Sequence, residues 1–178
     1  MYFIPHLCLG QSQKSLGNLQ QALVCLEKRL VVAHELGSSE AKAAAYGELG
    51  QIHATLSNLE QAVSCLDHQR AIALELCKLL ASRGSERCVD VELYLGDRLM
   101  EAEAISGLGT VYQQMGEYST ALRYHQNDLD IAEQLGTPTL QSRACGNIGI
   151  NIKLFCCSYI QSSVLKNYYL EIIRYDYE

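Results

Sequence analysis

The stretch LGNLQQALVCL at residues 16–26 reappears as LSNLEQAVSCL at residues 56–66, an offset of 40 positions. Repetition on this scale marks one supersecondary unit copied along the chain, each copy too small to bury its own apolar face. The same register sets Gly10 on Gly50, Ala22 on Ala62, Ala33 on Ala73 and Leu36 on Leu76. Further along, Ala104, Leu108 and Gly109 fall on Ala144, Ile148 and Gly149. Between the second and third copies the offset is 59, because Gly50 matches Gly109 and Ala62 matches Ala121. Nineteen inserted residues, Cys77 to Leu95, make the difference. Removing them joins Glu75-Leu76 to Gly96 and recreates the endings Glu35-Leu36-Gly37 and Gln134-Leu135-Gly136. The insertion is therefore expected at a helix end between copies, where extra chain costs least.

Each copy reads as two helices. In the third, Ala102, Ile105, Leu108, Gly109 and Tyr112 recur at three- and four-residue spacing. Met115-Gly116-Glu117 interrupts that pattern, and Ala121, Leu122, Tyr124, His125, Leu129 and Ala132 resume it. Gly109 and Ala121 are small because two antiparallel helices with axes roughly 8–10 Å apart have no room for large side chains at their closest approach. Gly37 and Gly136 are expected as left-handed residues after a helix. Thr137-Pro138 is expected to restart the next copy, with a capping hydroxyl and a proline at the first helical position. The chain divides into a first copy with an irregular start (1–37), a second (38–76), the insert (77–95), a third (96–136) and a partial fourth (137–178). The fourth loses the pattern after Asn151: Cys156 stands where Gly116 is repeated and Gln161 where Ala121 is repeated. Beyond it Ile160, Val164, Tyr168 and Ile172 share one face, which predicts an amphipathic helix in place of the missing second helix, capping the stack or promoting self-association.

Composition narrows the function classes. With 14 Lys+Arg against 20 Asp+Glu, the net charge is -6, which opposes the phosphate neutralisation that nucleic-acid binding needs. The start, MYFIPHLCLG, has no basic n-region, so the chain is read as intracellular and cytoplasmic. The most apolar stretch, residues 148–165, contains Lys153, Asn151 and Gln161, which favours a buried or partner-covered helix over a membrane span. The eight cysteines form no Cys-x-x-Cys motif and read as small apolar side chains. No cofactor and no metal are expected, since neither a glycine-rich phosphate loop nor a cluster of ligands with suitable spacing occurs. Asp128, Asp130 and Glu133 read as a solvated acidic helix face, and His53 and His125 as packed rings in aromatic positions. Arg70 departs from the pattern: its counterparts are Leu30 and Leu129, so a buried position has become charged or turned outward.

The order Ile105-x-x-Leu108-Gly109-x-x-Tyr112 followed by Ala121 and His125 resembles the tetratricopeptide repeat. Tyr46, Leu49, Gly50, His53, Ala62 and Leu66 match it in the second copy, and Gly149 in the fourth. LGNLQQALVCLEKRL, VYQQMGEYSTALRYHQ and DLDIAE are similar to the forty-residue branch of that family, which includes mitotic spindle-midzone proteins and Pins-like spindle-orientation adaptors. The resemblance implies an all-α, right-handed superhelical solenoid of stacked antiparallel helix pairs, with the first helix of each pair lining an inner groove. It also implies a non-enzymatic scaffold that binds a protein partner's peptide or helix, acting at the spindle midzone or midbody in cytokinesis. The alternatives are an adaptor linking cortical or G-protein signalling to the spindle, and a shortened form of low activity. Counted from the motif glycine, the inward positions are Gln51, Glu103, Ser106, Thr110, Gln113, Arg143 and Asn147. Arg143 stands where Pins-like adaptors carry a ligand-clamping arginine.

Overall fold

The computed structural model describes residues 18–82 and 88–175, with side chains over 18–79 and 94–159. The segment expected to form the first helix of the first copy, with Gly10, lies outside the described residues. Six helices follow in order: α1 (Leu19–Glu35), α2 (Ser39–Thr55), α3 (Leu59–Ser82), α4 (Cys88–Gln114), α5 (Tyr118–Gln134) and α6 (Pro138–Tyr175). The described residues contain no strand. Each helix packs on the next; α2 also touches α4, and α4 touches α6. That order of contact is a solenoid: α2, α4 and α6 are first helices and line one side, while α1, α3 and α5 are second helices and form the other.

The turns explain why the chain reverses where it does. Asn18 Oδ1 accepts from Gln21 N and Ser38 Oγ from Ala41 N, each satisfying an orphan donor of a first turn. Gly37, Gly116 and Gly136 have φ of 66°, 81° and 62°, the left-handed conformation that carries the backbone past a helix C-terminus. Ser57 occupies the same position in the second copy at φ 61°. A side chain there costs about 1 kcal/mol, so Ser57→Gly is expected to raise the melting temperature by roughly 2–4 °C, read by a thermal melt. Pro138 does open α6, but the Thr137 hydroxyl turns backward and donates to the Leu135 carbonyl (3.4 Å) instead of capping the new helix.

Between turns, the small residues meet as their spacing requires. Ala62 and Ala121 are fully buried. A Cβ on Gly50 would lie 2.7 Å from Leu66 Cγ, and one on Gly109 would lie 2.5 Å from the His125 ring. The apolar core follows this seam from one copy to the next, through Leu26, Leu49 and Ile52, then Leu66, Leu108 and Val111, then Ala102, Ile105 and Ile131. Residues 77–82 lengthen α3 and residues 88–95 begin α4, so much of the insert is helix added to existing helices.

The fourth copy differs from its expectation. No separate helix occupies the place of a second helix, because α6 runs unbroken for 38 residues. At 1.5 Å per residue it is about 57 Å long, against about 26 Å for the 17 residues of α5. The cause is local: Phe155-Cys156-Cys157 replaces Met115-Gly116-Glu117, and a residue with a Cβ does not readily adopt the left-handed turn that Gly116 makes. Gly149 consequently has nothing within 4 Å of its would-be Cβ. Ile150, Ile152, Leu154, Phe155 and Tyr159 are exposed, so the expectation of burial within the chain fails here. The face made by Ile160, Val164, Tyr168 and Ile172 lies outside the described side chains. No described helix is long and apolar enough to cross a membrane.

Candidate functional site

Two of the first helices, α2 and α4, each present a glycine to the inner surface, and between them the side chain of Leu66 on α3 shows through. A Cβ on Gly50 would meet Leu66 at 2.7 Å and one on Gly107 at 3.1 Å, so any larger residue at either position would compete with it for space. The result is a hollow of about 550 Å³ with Leu66, Ala54 and Val111 as its apolar floor. Gln51, Thr55, Glu103, Ser106, Thr110, Gln114 and Arg143 supply its polar rim. A second hollow of about 330 Å³, lined by Gln51, Glu103, Glu48, Gln69, Leu99 and Met100 among others, shares Gln51 and Glu103 with the first. Together they make a groove along the first helices.

Of the residues expected on the inner surface, Gln51, Glu103, Ser106, Thr110 and Arg143 come together on the larger hollow. Gln113 and Asn147 do not line it, and Gln114 takes the place next to Val111. The hydroxyls of Thr55 and Thr110 donate to the carbonyls of Gln51 and Ser106 one turn earlier, at 2.8 and 3.0 Å, which leaves their methyl groups and remaining lone pairs for the groove.

Arg143 is not a free clamp. Its Nη2 donates to Asp128 Oδ1 at 2.9 Å, joining α6 to α5. Asp128 is completely buried, which corrects the expectation that it belongs to a solvated acidic face. The physical reason appears on aligning the second helices: Arg29, Gln69 and Asp128 occupy one register position, and all three are buried. Each of the two charged members bonds to the first helix of the following copy, Arg29 to Glu48 and Asp128 to Arg143, with the signs reversed. The offsets of 40 and 59 would have exposed this position in the sequence, but three residues of unlike chemistry do not draw attention as repeated glycines do.

With Arg143 answered by Asp128 and Glu48 by Arg29, Glu103 stands apart on the rim. It is exposed, it borders both hollows, and among the described residues no cation pairs with it. The groove's uncompensated charge is negative.

Behind the groove His125 is wholly buried against Gly109, and neither ring nitrogen has a hydrogen-bond partner among the described residues. Burial lowers its pKa from 6.5, the nearby Arg143 lowers it further, and Asp128 works in the opposite direction. The neutral ring is the one that packs, so its contribution to stability is complete above pH 6.5 and declines as the medium is acidified. Cys65 and Cys77 are thiols pushed up by burial, in keeping with a packing role. Among the described residues no three metal-ligating side chains converge.

Residues 43–69 and residues 104–139 each match a family profile of the tetratricopeptide repeat. The first segment covers most of α2 and half of α3, and the second covers the last turns of α4 with all of α5. These matches support membership of that repeat family and a protein–protein interaction scaffold as the general role. No curated protein matches the chain.

Proposed function

We propose that this chain, whose two matched segments carry the tetratricopeptide repeat, is a non-enzymatic scaffold that holds an extended peptide or a helix of a protein partner in the groove of α2, α4 and α6. The observation that supports it most directly is the glycine-floored hollow at Leu66, where backbone-close approach and an apolar floor meet a polar rim. Because the rim's uncompensated charge belongs to Glu103, the partner segment carries a lysine or arginine there, flanked by small apolar side chains that reach Leu66 and Val111.

A selection of displayed peptides on the intact chain tests this reading. The recovered peptides are expected to be enriched in basic residues and to bind roughly tenfold more weakly to Glu103→Lys and to Thr110→Arg, both exposed positions where the fold has little at stake. Peptides that bind all three proteins equally would place the binding surface elsewhere.

The cellular setting is proposed from motif similarity alone. The runs at residues 16–30 and 111–126 are similar to repeats of tetratricopeptide repeat protein 28, which supports a role at the spindle midzone and midbody during cytokinesis. The likeness to Pins-like adaptors supports the alternative, a link from cortical or G-protein signalling to the spindle. The exposed apolar residues of α6 support self-association through that helix.

A further inference from the structure

Arg70 interrupts the repeat where the other copies have Leu30 and Leu129, and the inner groove makes no use of it. It sits instead on the outer side, among the second helices, where α3 and α5 border a hollow of about 380 Å³. Among the described residues Arg70, Thr120, Arg123, Tyr124 and Asn127 line this hollow; none of these is a carboxylate, and the Glu117 carboxylate lies beside Thr120. Tyr124 is fixed by parallel stacking on Tyr112 with ring centres 5.3 Å apart, so one wall is rigid. The Thr120 hydroxyl donates to Glu117 at 3.3 Å, leaving its lone pairs but not its proton for other company. Among the described residues neither Arg70 nor Arg123 is ion-paired, although acidic residues outnumber basic ones by 20 to 14 in the chain.

Two guanidiniums in one recess, in an acidic protein, with an amide and a phenol ring beside them, are suited to a compact oxyanion. The guanidinium presents parallel N–H donors that match a tetrahedral oxyanion's edge, and two of them offset a dianion's charge. Arg70 is partly buried, as Leu30 and Leu129 are in the other copies, so this position brings a charged group to the wall of the hollow where the others bring an apolar one. The geometry points to a binding site for a phosphate group, bridged between Arg70 of the second copy and Arg123 of the third, with Asn127 as an additional donor. A phosphate seated there would join two consecutive copies across the outer face.

The phosphate has two possible carriers, and one experiment separates them. The intact isotope-labelled chain is titrated at constant ionic strength with inorganic phosphate, with a short O-phosphoserine peptide and with the same peptide unphosphorylated. Amide and guanidinium N–H resonances provide the readout. Saturable shifts at Arg70, Arg123 and Asn127 are expected from both phosphate sources and none from the unphosphorylated peptide. Tighter binding of the phosphopeptide assigns the site to a partner's modified side chain, and equal binding assigns it to a free phosphate. Arg70→Leu restores the residue of the other copies and so keeps the fold, and it is expected to weaken binding roughly tenfold or more. Shifts that never saturate, or equal affinities for the intact chain, Arg70→Leu and Arg123→Gln, would overturn the assignment.

Discussion

Alanine at Gly109 should destabilise the fold by up to about 2 kcal/mol, whereas alanine at Gly149, its counterpart 40 residues on, should stabilise it by up to about 1 kcal/mol. Both are motif glycines within helices, so helix propensity alone favours the change equally at each, by about 1 kcal/mol. Their surroundings set them apart. A Cβ on Gly109 would fall 2.5, 2.6 and 3.0 Å from three atoms of the His125 ring, and that ring has no exposed surface into which it can retreat. A Cβ on Gly149 would meet nothing within 4 Å. Overpacking of this kind costs about 1–3 kcal/mol, enough to reverse the sign at one site and absent from the other. Urea unfolding of the two variants beside the parent reads the difference directly. If both gained or both lost the same amount, α4 and α5 would not be packed at van der Waals contact through Gly109.

The second large effect concerns the pair between α5 and α6. Arg143→Met should lower stability by about 3 kcal/mol, because it strands a fully buried Asp128 carboxylate without its cation. The Arg143 side chain retains 35% of its exposure, which places the loss at the lower end of what breaking a buried pair costs. Adding Asp128→Asn to the same variant should recover most of the loss, since a neutral amide of equal size no longer needs a counter-charge. Denaturant midpoints of the single and double variants decide the matter. A double variant as unstable as the single would mean that Arg143 acts through packing of its stem alone. The result also bears on function, because a partner lost on changing Arg143 has two explanations, groove contact and a loosened α6. Variants of Glu103 and Thr110 report on the groove without that ambiguity.

The paired-helix architecture was legible in the sequence because its geometry demands specific residues. Close helix contact requires Gly50, Gly109, Ala62 and Ala121, and a left-handed turn favours Gly37, Gly116 and Gly136, so the 40-residue register could be read by eye. Counting along a helix from those glycines also picks out Gln51, Glu103, Ser106, Thr110 and Arg143, which line the larger hollow. Gln113 and Asn147 show the limit of such counting, since whether a residue lines a hollow depends on its rotamer and on the neighbouring helix as well as on its phase. The burial of Asp128 is not legible in the sequence because its partner lies 15 residues away on the next helix, a distance at which spacing within one helix carries no signal. The continuous α6 differs from the expected separate amphipathic helix for the opposite reason: with Cys156 in place of the turn glycine, the absence of a turn lets the first helix propagate.

That uninterrupted helix changes how the array comes apart. In a linear array, the free energy of each unit is its own plus a coupling to the units on either side. Among the described residues α6 packs on α5 and touches α4, and nothing approaches the bare flank at Gly149, so α6 is coupled to the stack from one side there. Thermal opening of the described stack accordingly begins in α6 and advances toward α4, with the seam between α3 and α4 among the last parts to lose protection from solvent exchange.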